Sequence, residues 1–211
     1  MIISKKSCVV LLSHSNQLSN HVARIVLAEK AVISEVEYID QESPPEDFLT
    51  INPYNTLPVL IDRDLVLNEV NIIIDYLDER FPHPPLLPVY PVQRAKNRLM
   101  IYRIVQDWFS LYNQLDQKGA HLKGLDLIRD KLRSEVQKID HLLAANEYFM
   151  SSDFTLLDCY IAPFLWRMPS VGIDVNDYSH ILEYEKKVFD RPSYQASLSS
   201  DELDLRGYTL T

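Results

Sequence analysis

The stretch Asn52-Pro-Tyr-Asn-Thr-Leu-Pro-Val-Leu60 places turn-forming residues before a proline, and that proline directly before an apolar run. Proline has no N–H to donate to a sheet ladder, so Pro58 belongs at the first residue of a strand or on a sheet edge. The stretch therefore predicts a turn followed by a strand from Val59. These residues alone leave two readings open: a trans Pro58 that only begins the strand, and a cis Pro58 that presents the Leu57 backbone to a ligand or partner.

Short apolar runs and helical periodicities flank that stretch. They predict a strand at residues 8–12, a helix at 18–30, a strand at 32–39, a helix at 46–51, strands at 59–61 and 65–67, and a helix at 69–80. A strand–helix–strand opening implies a parallel pair with a right-handed crossover. The closely spaced strands that follow imply an antiparallel hairpin at the edge. Residues 1–81 thus predict an α/β domain with the order βαβαββα.

The composition changes after residue 81. Five prolines fall between Phe81 and Val92, and proline disfavours both helix and sheet pairing, so residues 82–92 predict an extended linker. Residues 93–211 predict an all-α domain, with helices at 93–118, 125–143, 156–168, 178–188 and 193–198. Thr155 and Asp158 form a capping-box pattern ahead of a helix that is apolar nearly all round, which indicates a central helix. The acidic tail at 201–211 is expected to be poorly ordered.

Charge and cysteine content narrow the classes of function. The 211 residues include 21 basic and 30 acidic side chains, a net charge of −9, which argues against a non-specific nucleic-acid coat. No apolar run approaches the roughly 20 residues of a membrane span, and the first residues lack a signal-peptide core. Cys8 and Cys159 form no CxxC pair and are expected to be reduced thiols. We therefore expect a cytoplasmic protein without a metal or cofactor.

The order of these elements resembles the glutathione transferase fold, a thioredoxin-like domain followed by an all-helical one. The resemblance identifies Pro58 as the cis-proline of the thioredoxin-like domain. Three further segments are similar to the stringent starvation protein A family: residues 24–30 (RIVLAEK), 76–91 (YLDERFPHPPLLPVYP) and 158–163 with 165–167 (DCYIAP, LWR). The Pro-His-Pro block is the most specific of these marks.

Membership of that family implies a bacterial regulator that associates with RNA polymerase holoenzyme during stringent and stationary-phase stress, without sequence-specific DNA binding of its own. The expected partner-binding residues are Pro82, His83, Pro84, Pro85 and Tyr90. Proline-rich segments are pre-extended and lose little entropy on docking. The alternative interpretation is a rigid inter-domain strap whose prolines only pack against the helices.

Two positions argue that transferase chemistry is lost. Enzymes of the resembled fold carry a Ser, Tyr or Cys at the start of the first helix, where this chain has Gln17, which is neither a nucleophile nor a base. The resembled Glu-Ser pair at the third helix reads Glu69-Val70, so the hydroxyl that would bind the γ-glutamyl carboxylate is absent. We therefore expect no catalytic residue and a vestigial ligand site formed by Gln17, Leu57, Pro58, Glu69 and Val70.

Other interpretations stay open. A register shift of one or two residues places Ser13, Ser15 or Ser19 at the catalytic position, so a glutathione-dependent transferase or reductase is the alternative function. A third class is a sensor of an anion such as a nucleotide alarmone, with donors from Arg24, Arg94, Lys96 and Arg98. The resemblance also implies a homodimer through the helices at 69–80 and 93–118, and a heterodimer with a paralogue is compatible with the sequence.

Overall fold

The computed structural model describes residues 8–116 and 124–207. The strands are β1 (Val9–Ser13), β2 (Ser34–Tyr38), β3 (Val59–Asp62) and β4 (Leu65–Leu67). The helices are α1 (Leu18–Glu29), α2 (Glu46–Ile51), α3 (Val70–Arg80), α4 (Pro91–Arg103), α5 (Ser110–Asp116), α6 (Leu125–Leu143), α7 (Leu156–Trp166), α8 (Ser179–Phe189), α9 (Pro192–Ser197) and α10 (Ser200–Asp204). The described chain divides into two compact units, residues 8–85 with 192–204, and residues 86–191 with 205–207.

The first unit contains a four-stranded sheet in the order β2-β1-β3-β4. β1 pairs with β2 in parallel and β3 pairs antiparallel with β4, which confirms the predicted parallel pair and hairpin, and β1 also pairs antiparallel with β3. β1 is buried along its whole length, as its continuous apolar run requires. The Leu57–Pro58 peptide is cis, so the cis geometry of the second reading is confirmed.

The second unit is helical and is organised around α7, in which every residue is buried. The predicted capping box is present at its start. The Asp158 carboxylate accepts from the Thr155 amide at 2.8 Å, and the Thr155 hydroxyl accepts from the amide of Leu157 at 3.3 Å. The carboxylate also accepts from the Phe149 amide at 2.8 Å, so it ties the preceding turn to the helix. No helix in the described chain is long and apolar enough to cross a membrane.

The fourth helix departs from the prediction at its beginning and in its middle. It begins at Pro91 rather than at residue 93, because proline at the first helical position sacrifices no intrahelical N–H. The linker therefore ends earlier than predicted. Residues Ile104–Phe109 form a π-helical segment that separates α4 from α5, where one helix to residue 118 was expected. Residues 117 and 118 lie outside the described residues.

The C-terminal segment corrects two expectations. Pro192–Asp204 groups with the first unit and not with the helices that precede it in the chain. Residues 201–204 were expected to be poorly ordered, but they belong to α10, and Glu202 within it is fully buried. Local composition failed here because the burial of Glu202 depends on a partner far away in sequence. The last part of the predicted tail, 208–211, lies outside the described residues.

Candidate partner-binding site

The residues expected to bind a partner are exposed. Pro82, His83, Pro84 and Pro85, which we name the Pro-His-Pro loop, follow α3 directly and belong to the first unit. The His83–Pro84 peptide is cis, a feature that the sequence did not predict. Just before the loop, the guanidinium of Arg80 lies over the ring of Phe81, 5.3 Å from its centroid. The loop therefore presents pyrrolidine rings and one imidazole to the surface.

A buried ammonium group fixes the backbone of this loop. Lys30 directly follows the last residue of α1, and its Nζ donates to the carbonyl oxygen of Pro84 at 2.6 Å. The same Nζ lies 2.7 Å from Oδ1 of Asp78, which is on α3. The side chain of Lys30 is fully buried and that of Asp78 nearly so. The exposed loop is thus anchored to the interior of its own unit.

Tyr90, the fifth expected residue, belongs to the second unit. It precedes α4 with an extended backbone, and its side chain is 71% exposed. The segment before it is held by Leu86, whose carbonyl accepts from the Leu156 amide at 2.8 Å, and by Arg94, whose Nε donates to the Pro88 carbonyl at 3.3 Å. Tyr90 is therefore an exposed aromatic ring on a well-fixed backbone.

The expected vestigial ligand site lies in the first unit, at the start of α1 and around the cis-proline. Gln17 precedes α1, and its Nε2 donates to Oε1 of Gln41 at 3.0 Å. Gln41 in turn donates to the Asn55 carbonyl at 2.7 Å and accepts from the Asn55 side-chain amide at 3.1 Å. Gln41 thus links Gln17 to the turn before buried Leu57 and Pro58. Sequence reasoning missed Gln41, because no periodic pattern marks it.

The serines near Gln17 are hydrogen-bonded to neighbouring groups or lie within a helix. Ser13 is buried in β1, where its Oγ donates to the His14 carbonyl and accepts from a guanidinium nitrogen of Arg24 at 2.5 Å. Ser15 Oγ donates to the Asp201 carboxylate, and Ser19 lies inside α1. Burial lowers the pKa of His14, and its Nδ1 accepts a hydrogen bond from a backbone amide at 3.0 Å. Ser13, His14 and Ser15 thus belong to a network of hydrogen bonds between β1 and α1.

Arg24 was expected to donate to an anionic ligand, but its guanidinium forms hydrogen bonds within the first unit. Its Nε donates to the Ser197 carbonyl at 2.8 Å, and one terminal nitrogen lies 2.6 Å from each carboxylate oxygen of Glu202. Both residues are buried, so this guanidinium is not offered to a ligand. Arg94, Lys96 and Arg98 lie on α4, in the other unit.

The start of α3 matches the sequence expectation of a missing hydroxyl. Glu69 precedes the helix with its backbone extended and its side chain exposed, and it makes no side-chain cap hydrogen bond. Val70, half-buried, is the first helical residue. The amides at this helix end remain, but no side-chain hydroxyl stands at position 70. Within the described part of the chain, no cluster of three or more His, Cys, Asp or Glu residues is arranged to hold a metal.

Comparisons with known proteins agree with this geometry. A family model described as the N-terminal domain of glutathione S-transferase matches residues 19–85. The solved ternary complex of BphK, a bacterial glutathione transferase, superposes with a TM-score of 0.81, at 19% identity, over 90% of this chain and 97% of that one. The chain therefore belongs to the class of proteins with a glutathione transferase-like fold.

Curated relatives narrow that class. The stringent starvation protein A homolog of Haemophilus ducreyi is 47% identical over 197 residues, which cover 92% of each chain. The homolog of Coxiella burnetii is 44% identical over 204 residues, 96% of this chain and 97% of that protein. The chain belongs to the stringent starvation protein A family.

Proposed function

We propose that this chain is a non-catalytic, cytoplasmic regulator of transcription that binds RNA polymerase holoenzyme through the Pro-His-Pro loop and Tyr90 during stringent and stationary-phase stress. The observation that carries the proposal is the combination of an exposed loop with a backbone held by buried Lys30. Support also comes from relatives that carry the name stringent starvation protein A. The alternative, an inert strap, does not require the rings of the loop to face outward.

The chemistry of the loop suits a protein partner. Three of its four residues are prolines, whose φ angles are already restricted, so docking costs little backbone entropy. The rings of His83 and Tyr90 add directional hydrogen-bonding groups and, for Tyr90, the large amphipathic surface that is enriched at interface hot spots. Pre-ordered groups of this kind favour contact with a folded protein.

A glutathione-dependent transferase or reductase is the second candidate. The backbone amides at the start of α3 and the likeness to a bacterial glutathione transferase favour it, whereas the missing hydroxyl at position 70 opposes it. Gln17 and the hydrogen-bonded serines oppose it, because neither supplies the group that would form or stabilise a thiolate. Retention on glutathione resin together with turnover of chlorodinitrobenzene would establish the enzyme.

The proposal includes a homodimer through α3 and α4. Each helix exposes apolar side chains, Ile72 on α3 and Leu99 and Tyr102 on α4. The charged residues of α4, namely Arg94, Lys96, Arg98 and Arg103, are all basic, whereas α3 carries Asp75 and Glu79 with a single Arg80, and its third carboxylate, Asp78, is buried against Lys30. Opposite charges on the two helices suit a two-fold contact in which α3 of one copy meets α4 of the other. Light scattering on the purified chain, alone and with a paralogue, separates homodimer from heterodimer.

The test of the proposal replaces Pro82, His83 and Pro84 together by alanine and measures co-purification of RNA polymerase from the native host. We expect the polymerase to be lost while the melting temperature stays near that of the wild type. His141→Ala, an exposed histidine on α6, is the matched control and should retain the polymerase. A collapse of stability in the triple variant supports the strap instead, and normal co-purification rejects this binding surface.

A further inference from the structure

We propose that Lys30 is a positioning residue for the partner, which sets the Pro-His-Pro loop in its binding geometry through the Pro84 carbonyl. The inference rests on the proposed function of the loop. It assigns a role in recognition to a side chain that is itself fully buried.

The composition of the loop explains why a side-chain donor is needed. Pro82, Pro84 and Pro85 have no N–H, so among the four loop residues only His83 can donate a backbone hydrogen bond. A loop of this kind is held mainly through its carbonyl oxygens, and a donor must come from elsewhere. Lys30 supplies it with an ammonium that donates to the Pro84 oxygen at 2.6 Å.

The position of that ammonium is set by the interior of the first unit. The Lys30 amide donates to the Val26 carbonyl at 3.0 Å, so the hydrogen-bond pattern of α1 continues to the residue that follows the helix. A cation at the C-terminal end of a helix is favoured by the helix dipole. Asp78 fixes the same nitrogen from α3, which packs against α1. The loop therefore takes its position from two packed helices.

Stability alone does not explain why a buried ion pair, Lys30–Asp78, lies between α1 and α3. A buried ion pair is often no more stabilising than well-packed apolar side chains of similar volume. A methionine and leucine pair could fill the space between α1 and α3, but it could not donate to the Pro84 carbonyl. The feature that the Lys30–Asp78 pair adds is a fixed hydrogen-bond donor under an exposed loop.

The experiment compares three variants of the full chain. Lys30→Met with Asp78→Leu removes the donor and both charges together. Lys30→Arg keeps a cationic donor. Arg24→Met with Glu202→Leu replaces another buried ion pair of the same unit, one that does not contact the loop. Each variant is measured for its melting temperature, for hydrogen exchange in the peptide spanning residues 81–87, and for its dissociation constant with purified RNA polymerase holoenzyme.

We expect the Lys30→Met/Asp78→Leu variant to melt near the wild type, to exchange faster at 81–87, and to bind the polymerase at least tenfold more weakly. The other two variants should match the wild type in exchange at 81–87 and in binding. If the double variant does not fold, Lys30→Met alone carries the same readouts.

Unchanged exchange and unchanged binding in the folded Lys30 variant would overturn the inference. That failure differs from a failure of the proposed function. If the alanine variant of Pro82, His83 and Pro84 loses the polymerase while the Lys30 variant keeps it, the docking surface stands and the positioning role falls. If the alanine variant binds normally, the proposed surface itself is wrong, and the exchange data still report whether Lys30 orders the loop.

Discussion

Arg24 and Glu202 form a buried, doubly hydrogen-bonded ion pair across 178 residues of sequence, with 2.6 Å from the guanidinium to each carboxylate oxygen. The imidazole of His21 lies 3.3 Å from the same carboxylate. Ser199 reinforces the contact, since its hydroxyl donates to the Ser15 carbonyl at 2.6 Å. The C-terminal segment is therefore part of the first unit, and its side chains form hydrogen bonds with residues that follow β1.

The first prediction concerns this pair. Glu202→Ala leaves a buried guanidinium without its counter-charge, so we expect a loss of roughly 3–5 kcal/mol in the free energy of unfolding. The combined Arg24→Met/Glu202→Leu variant should lose far less. Denaturant titration measures both.

The exposed pair Asp130–Arg133 on α6 provides the control, because its side chains are largely solvated. Asp130→Ala should cost about 0–1 kcal/mol. If Glu202→Ala costs no more than Asp130→Ala, Pro192–Asp204 is not docked on the first unit as described.

The second prediction concerns pH and Asp158. Burial raises the pKa of Asp158 to about 6, against 3.8 ordinarily, although the amides of Phe149 and Thr155 and the hydroxyl of Tyr184 oppose that rise. The folded state then binds this proton more tightly than the unfolded state does. The free energy of unfolding should therefore fall as pH rises from about 4 to about 6, by about 3 kcal/mol in total, and this contribution should be flat above pH 6.

Asp158→Asn isolates this contribution, because the amide does not titrate. The difference in unfolding free energy between the wild type and Asp158→Asn should change with pH in that window. Parallel stability curves for the two proteins would show that the carboxyl has an ordinary pKa in the fold.

The third prediction concerns the vestigial site. Val70→Ser restores a hydroxyl at the start of α3, and a charge-assisted hydrogen bond of roughly 1.5–3 kcal/mol should raise glutathione affinity about tenfold or more. Chlorodinitrobenzene turnover should remain absent, because Gln17 still stands before α1. Calorimetric titration and a turnover assay check the two halves. Wild-type turnover would instead support the second candidate function.

The sequence predicted those features that depend on local patterns. The βαβαββα order followed from apolar periodicity. The turn residues before Pro58 marked the loop that contains the cis Leu57–Pro58 peptide. The capping box at Thr155 was recognisable because both of its partners lie within four residues. For the same reason, the absence of a hydroxyl at Gln17 and Val70 could be read directly.

Long-range contacts between polar side chains were not predictable. Glu202 lies in an acidic segment that reads as solvated, and its burial depends on Arg24. Lys30 is only the last residue of the predicted helix at 18–30, yet it contacts Asp78 and the Pro84 carbonyl, 48 and 54 residues away. A single long-range ion pair does not change the spacing of apolar residues, so it cannot be recognised from the sequence pattern.

The most direct test of the account is the affinity of purified RNA polymerase holoenzyme for two matched tyrosine variants. Tyr90, at the end of the linker, is 71% exposed, and Tyr54, in the turn before the cis-proline, is 79% exposed. We predict that Tyr90→Ala weakens binding at least tenfold and that Tyr54→Ala binds as the wild type does. If only Tyr54→Ala weakens binding, or if neither variant does, the claim that the linker and its Pro-His-Pro loop form the polymerase-binding surface is contradicted.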